Sequence, residues 1–243
     1  GVSYALSDKW LNHWYMKQVV TGFLANSHAT YQAMTQTFPE IIPYPSLTLN
    51  NGIALPDPRP VLQTGIQGRI GMVARLSTEK GIPRALETLN ILKSKSVPAE
   101  LWIIGEGPER VPLENQALKM GLGDSVQFLG FREDVLELLA TCQVFLFTPH
   151  FGEGTSLALI EAMAVGLPCL AFDTPAMNEV IIDQQTGYLL EDGDVEGMAT
   201  KIELLLSQKD LCIQLGEKAQ GRAYAEFSLK NAADKVTHFL QSL

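Results

Sequence analysis

The sequence predicts an α/β protein built on a doubly wound parallel sheet. Three observations carry that reading. From Arg69 onward, apolar runs of four to seven residues recur along the chain, and each is followed by a stretch with helical spacing. The runs are apolar throughout and do not alternate, the pattern of strands covered on both faces. The chain of 243 residues is 46% hydrophobic and 19% charged, enough apolar side chain to fill such a core. Right-handed crossovers then place helices on both faces of the sheet.

Taken in order, residues 8–18 read as a short helix and 19–25 as a strand, with Ser27 as the cap of a helix through Gln36. Residues 41–60 hold five prolines and the Asn51-Gly52 pair, and are expected to form a turn and linker region rather than a packed element. The regular part follows. Strands are expected over 69–75, 99–105, 125–130, 143–147, 168–172 and 187–190. Helices are expected over 79–95, 108–120, 133–141, 155–165 and 175–182, and over most of 194–242. Pro83 falls in the first turn of its helix, where the missing N–H costs nothing, and Gly121 ends another.

Charge narrows the function classes. Lys plus Arg is 18 against 27 for Asp plus Glu, a net −9. That balance disfavours nucleic acid as a partner. Residues 1–64 sum to zero, so the whole excess lies after residue 64. No apolar run reaches the roughly 20 residues that span a bilayer. Cys142, Cys169 and Cys212 sit among apolar neighbours without a CxxC spacing, which predicts buried reduced thiols. The four histidines are too scattered for a metal site, and no metal or other cofactor is expected.

In a doubly wound sheet, ligands sit beyond the carboxyl ends of the strands. The loop after the first regular strand carries Arg75 and Lys80, local cations that could hold an anion in an acidic domain. Their alternative role is as solvated charges paired with Glu79 and Asp173. The next loop reads Gly105-Glu106-Gly107-Pro108-Glu109-Arg110, a dinucleotide fingerprint broken at its third glycine. A nicotinamide-dependent oxidoreductase is therefore disfavoured, and a tight strand-to-helix turn is the competing reading. After the strand over 143–147, Thr155 or Ser156 can cap a helix whose free N–H groups suit phosphate. Glu153 precedes that helix. Glu161 lies inside it on an otherwise apolar surface, where a carboxylate needs a partner. A vicinal diol supplies two donors. A structural Arg or Lys is the alternative.

These segments resemble the C-terminal half of a retaining GT-B glycosyltransferase of family four, the glycosyl transferases group 1. The resemblance rests on LTLNNGI (47–53), GMVARLSTEKG (71–81), LWIIGEGPER (101–110), VQFLGFREDV (126–135), GEGTSLALIEAMAVGLPCLAF (152–172), NEVIIDQQTGYLL (178–190) and EFSL (226–229). Its most specific element is the E-x7-E pair, Glu153 and Glu161. It implies transfer of a sugar from a nucleoside diphosphate sugar to an acceptor hydroxyl with retained configuration and no metal. Arg75 and Lys80 would neutralise the diphosphate, Glu161 would bind the ribose hydroxyls, and Glu153 would contact the transferred sugar. Gly154, Thr155, Ser156 and Leu157 would face sugar and phosphate, Gly105 and Gly107 would line the donor site, and Phe131 and Arg132 would border the base. Two departures from the family pattern, Thr155-Ser156 and the loop 173–177 in place of a Gly-Gly pair, leave the sugar open.

The resemblance also implies an organisation: a remnant of an N-terminal acceptor domain over 1–50, a linker over 51–64, a donor-binding domain over 65–226, and a helix over 227–243 that packs toward the N-terminal domain. Such a chain is expected to bind the donor but transfer weakly or not at all. The acceptor, a glycan, lipid or small molecule, would be held by the rest of the N-terminal domain. A non-catalytic nucleotide-sugar-binding subunit is the alternative. The expected location is the cytoplasm, with attachment to the inner face of a membrane left open.

Overall fold

The structure is a computed structural model and describes residues 21–57, 59–60, 65–150 and 155–243. The helix expected over 8–18 and the first residues of the strand expected over 19–25 lie outside it. The elements are β1 (Phe23–Ala25), α1 (His28–Thr37), β2 (Ser46–Thr48), β3 (Arg69–Val73), α2 (Ile82–Ser94), β4 (Glu100–Ile104), α3 (Arg110–Lys119) and β5 (Val126–Gly130). They continue with α4 (Val135–Ala140), β6 (Val144–Phe147), α5 (Leu157–Ala164), β7 (Cys169–Phe172), β8 (Gly187–Leu190), α6 (Val195–Ser207), α7 (Lys209–Glu226) and α8 (Leu229–Ser242).

Six strands form one parallel sheet in the order β5-β4-β3-β6-β7-β8. The chain winds outward from β3 to β5, returns past β3, and winds the other way from β6 to β8. The loops after β3 and β6 therefore diverge, and a crevice opens between them at the carboxyl edge. Strand alternation sorts the core into two layers. Ile70, Met72, Leu101, Ile103, Val144 and Leu146 pack with α2, α3 and α6, while Ile104, Phe145 and Phe147 pack with α4, α5 and the later turns of α7. All four residues of β6 are buried, as a central parallel strand requires. Cys142, Cys169 and Cys212 are buried free thiols. Burial pushes Cys142 up to about 12 and Cys212 up to about 11, so neither is a ready nucleophile.

Three expectations need correction. The helix expected over 175–182 is a run of hydrogen-bonded turns, in which Met177 and Asn178 both bond the Thr174 carbonyl. The Asn178 N–H reaches Thr174 and the Ile181 N–H reaches Met177, but the Val180 N–H takes the same Met177 carbonyl, so no continuous i, i+4 ladder forms. The region 41–60 is not an unpacked linker. Residues 46–48 form β2, which pairs in parallel with β1, and Ile53 bridges Ser228. Tyr224 donates to the Pro56 carbonyl at 2.7 Å and Gln220 to the Pro60 carbonyl at 3.0 Å. The prolines mark turns between short paired pieces. Third, neither Thr155 nor Ser156 caps α5 with its side chain. Ser156 occupies the N-cap in an extended conformation without a side-chain bond, and the Thr155 hydroxyl turns toward Asn26.

The N-terminal piece lies beside the main sheet. The Glu179 carboxylate accepts the His28 and Ala29 N–H groups at 2.9 and 3.0 Å, at the start of α1. A Cβ on Gly22 would meet Leu243 and Phe239, so the end of α8 lies against the segment leading into β1. No helix among the described residues is long and apolar enough to cross a membrane.

Candidate functional site

Four loops build the crevice. After β3 the chain passes Arg75, makes a 3-10 turn over Thr78–Lys80, and reverses at Gly81 in the left-handed region, φ 61°. Gly81 also sits where a Cβ would lie 1.9 Å from the Thr148 carbonyl oxygen. No other residue lets this loop close on the end of β6, where His150 N–H bonds the Glu79 carbonyl at 2.9 Å. Arg75 is exposed, and its guanidinium makes no hydrogen bond or ion pair among the described residues. Glu79 is held elsewhere: Ser77 donates to its carboxylate at 2.6 Å, which keeps the acid below its ordinary range. Asp173 accepts from Asn178. The expected alternative pairing of Arg75 with Glu79 and Asp173 is not made as a hydrogen bond or ion pair, although the nearby charges of Lys80 and Arg75 also help to hold Glu79 low. Lys80 is half-buried beside Arg75.

After β4, Gly105 has φ 140°, and a Cβ there would lie 2.0 Å from the Ala74 carbonyl oxygen. Its N–H bonds the Gly130 carbonyl at 2.8 Å. The motif thus joins the loops after β3, β4 and β5 into one wall. Gly107 is packed on the backbone of Leu76 and does not line the crevice. Arg110, at the position of the missing third glycine, holds Glu106 in an ion pair, binds Glu114 at 2.9 Å and donates to the Phe128 carbonyl at 3.0 Å. After β5, Phe131 is 75% exposed at the rim, and Arg132 is paired with Asp134 at 2.6 Å.

Helix α5 begins just beyond β6, so its first turn points into the crevice with backbone N–H groups that have no intrahelical partner. Glu161 projects from the second turn. It is half-buried, has no hydrogen-bond or ion-pair partner among the described residues, and desolvation alone raises its pKa. Among the described residues, no Arg or Lys pairs with it.

These groups surround one cavity of about 520 Å³. It gathers Arg75, Lys80, Gly105, Phe131, Arg132, Thr155, Ser156, Leu157 and Glu161 of the sequence candidates. Glu153 and Gly154 lie outside the described residues. The reading from sequence missed the apolar floor, Val73, Ile104 and Phe147, the last residues of β3, β4 and β6. It also missed Glu106 as a wall residue. The signal for the floor was present, since the last apolar residue of each inner strand must underlie whatever binds at that edge. Among the described residues, no group of three or more His, Cys, Asp or Glu side chains is placed to hold a metal ion.

The family described as glycosyl transferases group 1 matches residues 63–222. The chain belongs to that family. N-acetyl-alpha-D-glucosaminyl L-malate synthase of Bacillus anthracis is 37% identical over 131 residues, which are 54% of this chain and 34% of the relative. The amylovoran biosynthesis glycosyltransferase AmsK of Erwinia amylovora is 33% identical over 183 residues, 72% of this chain and 45% of the relative. The chain spans between about a third and a half of the length of such curated relatives. Among solved structures, S. aureus TarM in complex with UDP superposes with a TM-score of 0.82 at 21% identity, covering 90% of this chain and 43% of TarM. HepE of Anabaena, in complex with UDP and glucose, gives 0.80 at 22% identity, covering 92% of this chain and 63% of HepE. At that identity the likeness establishes the GT-B fold, which this glycosyltransferase family member shares through its six-stranded half.

Proposed function

We propose that the crevice binds a nucleoside diphosphate sugar and is the donor site of an enzyme that transfers the sugar to an acceptor hydroxyl with retention of configuration, with residues 1–243 sufficient for donor binding and weak in transfer by themselves. One observation carries the reading: Arg75, Lys80, the first turn of α5 and Glu161 face one cavity of about 520 Å³, and neither Arg75 nor Glu161 has a hydrogen-bond or ion-pair partner among the described residues. The first three suit a diphosphate, and the last suits two vicinal hydroxyl donors. Arg75 and Lys80 neutralise the charge that grows on the departing phosphate. Glu161 accepts from the ribose hydroxyls. Phe131 and Arg132 border the base, Gly105 allows the close wall beside it, and Gly107 supports that wall from behind. Glu153 and Gly154, with Ser156 and Leu157, are assigned to the transferred sugar and its phosphate. In the transfer, the bond from the anomeric carbon to the phosphate oxygen breaks, the acceptor oxygen bonds that carbon on the same face, and the acceptor proton passes to the departing phosphate. Charge stabilisation is assigned to the two cations rather than to a metal, so chelation with EDTA should leave nucleoside diphosphate binding unchanged.

Likeness to relatives named for polymer and glycoside synthesis supports a sugar donor. Calorimetric titration with UDP, GDP, ADP and NAD tests the reading. Binding of one diphosphate, lost in Glu161→Ala and in Arg75→Ala, is expected. Binding of NAD alone, or diphosphate binding unchanged by both substitutions, overturns it.

A further inference from the structure

Both polar ends of Thr155 are gripped by the N-terminal segment. Its buried hydroxyl donates to the Asn26 carbonyl at 2.6 Å and lies 2.9 Å from the Asn50 side-chain amide. Its own carbonyl accepts from the Asn51 side chain at 3.2 Å. The partners lie more than 100 residues away in sequence, and their meeting follows from topology. β1 and β2 run parallel in register, and Leu49 N–H bonds the Ala25 carbonyl, so their outgoing loops emerge side by side. Asn26 leaves the first strand and Asn50-Asn51 the second. Gly52 presses directly on the start of α8, where a Cβ would fall 2.8 Å from the Ser228 carbonyl oxygen, and Ile53 bonds both Phe227 and Leu229. The asparagine loop is therefore pinned from behind.

Thr155 is next to Ser156, the N-cap of α5, and lines the crevice. Ser156 makes no side-chain cap, and Leu159 and Ile160 bury the body of α5 in the core, so the contacts on Thr155 bear on its first turn alone. We infer that Thr155, Asn50 and Asn51 form a clamp that positions the first turn of α5 for a diphosphate, so that the N-terminal segment tunes the donor site without touching the donor's base. They are positioning residues. The inference rests on the diphosphate reading of the crevice.

Two measurements separate this clamp from general support. The first is the affinity gain of a nucleoside diphosphate over its bare nucleoside, taken for whichever of UDP, GDP and ADP binds tightest. Thr155→Val keeps the shape and removes the hydroxyl; it should cut that gain about fivefold, the worth of one buried hydrogen bond, while leaving nucleoside affinity alone. Thr155→Ser should restore it. Asn51→Ala, at a half-buried surface position, should lower the same gain and covers the case in which Thr155→Val does not fold. The second is amide exchange without ligand. The Ile160 N–H, bonded to the Ser156 carbonyl at 3.3 Å, should exchange several-fold faster in Thr155→Val and Asn51→Ala, with Leu89 in α2 unchanged. An unaltered diphosphate gain, or a loss that falls equally on the nucleoside, overturns the inference. So does unaltered Ile160 exchange. If no diphosphate binds the wild-type protein, the donor-site reading fails and the diphosphate part of the inference falls with it. The exchange measurement then still decides whether the clamp holds the helix.

Discussion

The six-stranded half and the N-terminal piece are held together by different physics. In the half that begins at β3, every strand contributes side chains to one or both of two dry layers, and Ile103, Phe145 and Leu159 are fully buried. In the N-terminal piece, α1 buries none of its residues, and β1 is only three residues long. Ala29, Ile53 and Leu55, partly buried, pack against the second layer, and directed polar contacts add the rest: Glu179 on the start of α1, the asparagines on Thr155, and the Ile53 backbone on the turn before α8. Apolar burial is insensitive to small shifts, whereas a carboxylate on two amides works only at one distance and angle. The strong half can therefore serve as a fixed floor. The weak junction is where geometry can be adjusted, and one of its fasteners ends at the first turn of the candidate site.

Four expected outcomes would break or sharpen that contrast, from the largest effect to the smallest. Phe145→Ala, which empties a fully buried ring stacked 6.5 Å from Phe147, should cost about 3–5 kcal/mol in urea unfolding. A loss below 1 kcal/mol would mean the floor is not rigid. Gly105→Ala forces a side chain into φ 140° against the Ala74 carbonyl; about 1–3 kcal/mol should be lost, together with nucleotide affinity. Glu179→Ala removes the carboxylate from two helix-start amides and should cost about 1 kcal/mol. That loss should appear as faster exchange across α1, with β3 to β8 amides unaffected. Loss of protection across the main sheet would show that the two parts are one cooperative unit.

The smallest effect is pH-linked. Burial raises the Glu161 pKa from its usual 4.5, so the folded state holds that proton more tightly than the unfolded state. Ionised Glu161 is therefore a cost at neutral pH. The cost is relieved as pH falls through the raised folded value and is gone below the unfolded one. Glu161→Gln should raise Tm at pH 7, and the gain should vanish below about pH 4. Nucleotide binding should move oppositely, weakening as the carboxylate protonates and weak at every pH in Glu161→Gln. A Tm gain that persists into acid would point to packing and not charge.

Much of the site was legible before any coordinates, for a local reason. Parallel strands write themselves as continuous apolar runs, and a doubly wound sheet puts its ligand at the end of those runs. Arg75, Gly105, Phe131 and Glu161 each follow one within a loop or two helical turns. Positive φ at Gly105 and Gly121 likewise falls where turns are expected, whereas Gly81 falls inside the helix expected over 79–95, which instead begins at Ile82. The strand after Pro45 escapes local pattern because three residues have no periodicity to detect, and its identity depends on a partner 23 residues earlier. The turns over 175–180 carry helical composition, and whether their amides close a continuous i, i+4 ladder is decided by contacts outside the segment.

Taken alone, the sequence determined the class of fold, the order of its strands along the chain and the loops that could carry chemistry, since each depends on neighbours within a few residues. Only the tertiary structure decided that Arg75 pairs with neither Glu79 nor Asp173, that Glu161 has no structural partner among the described residues, and that Thr155 answers to Asn26, Asn50 and Asn51 instead of capping its own helix. Those are statements about which of several available partners a polar group takes. That choice is made by packing at long sequence separation, which no local pattern encodes.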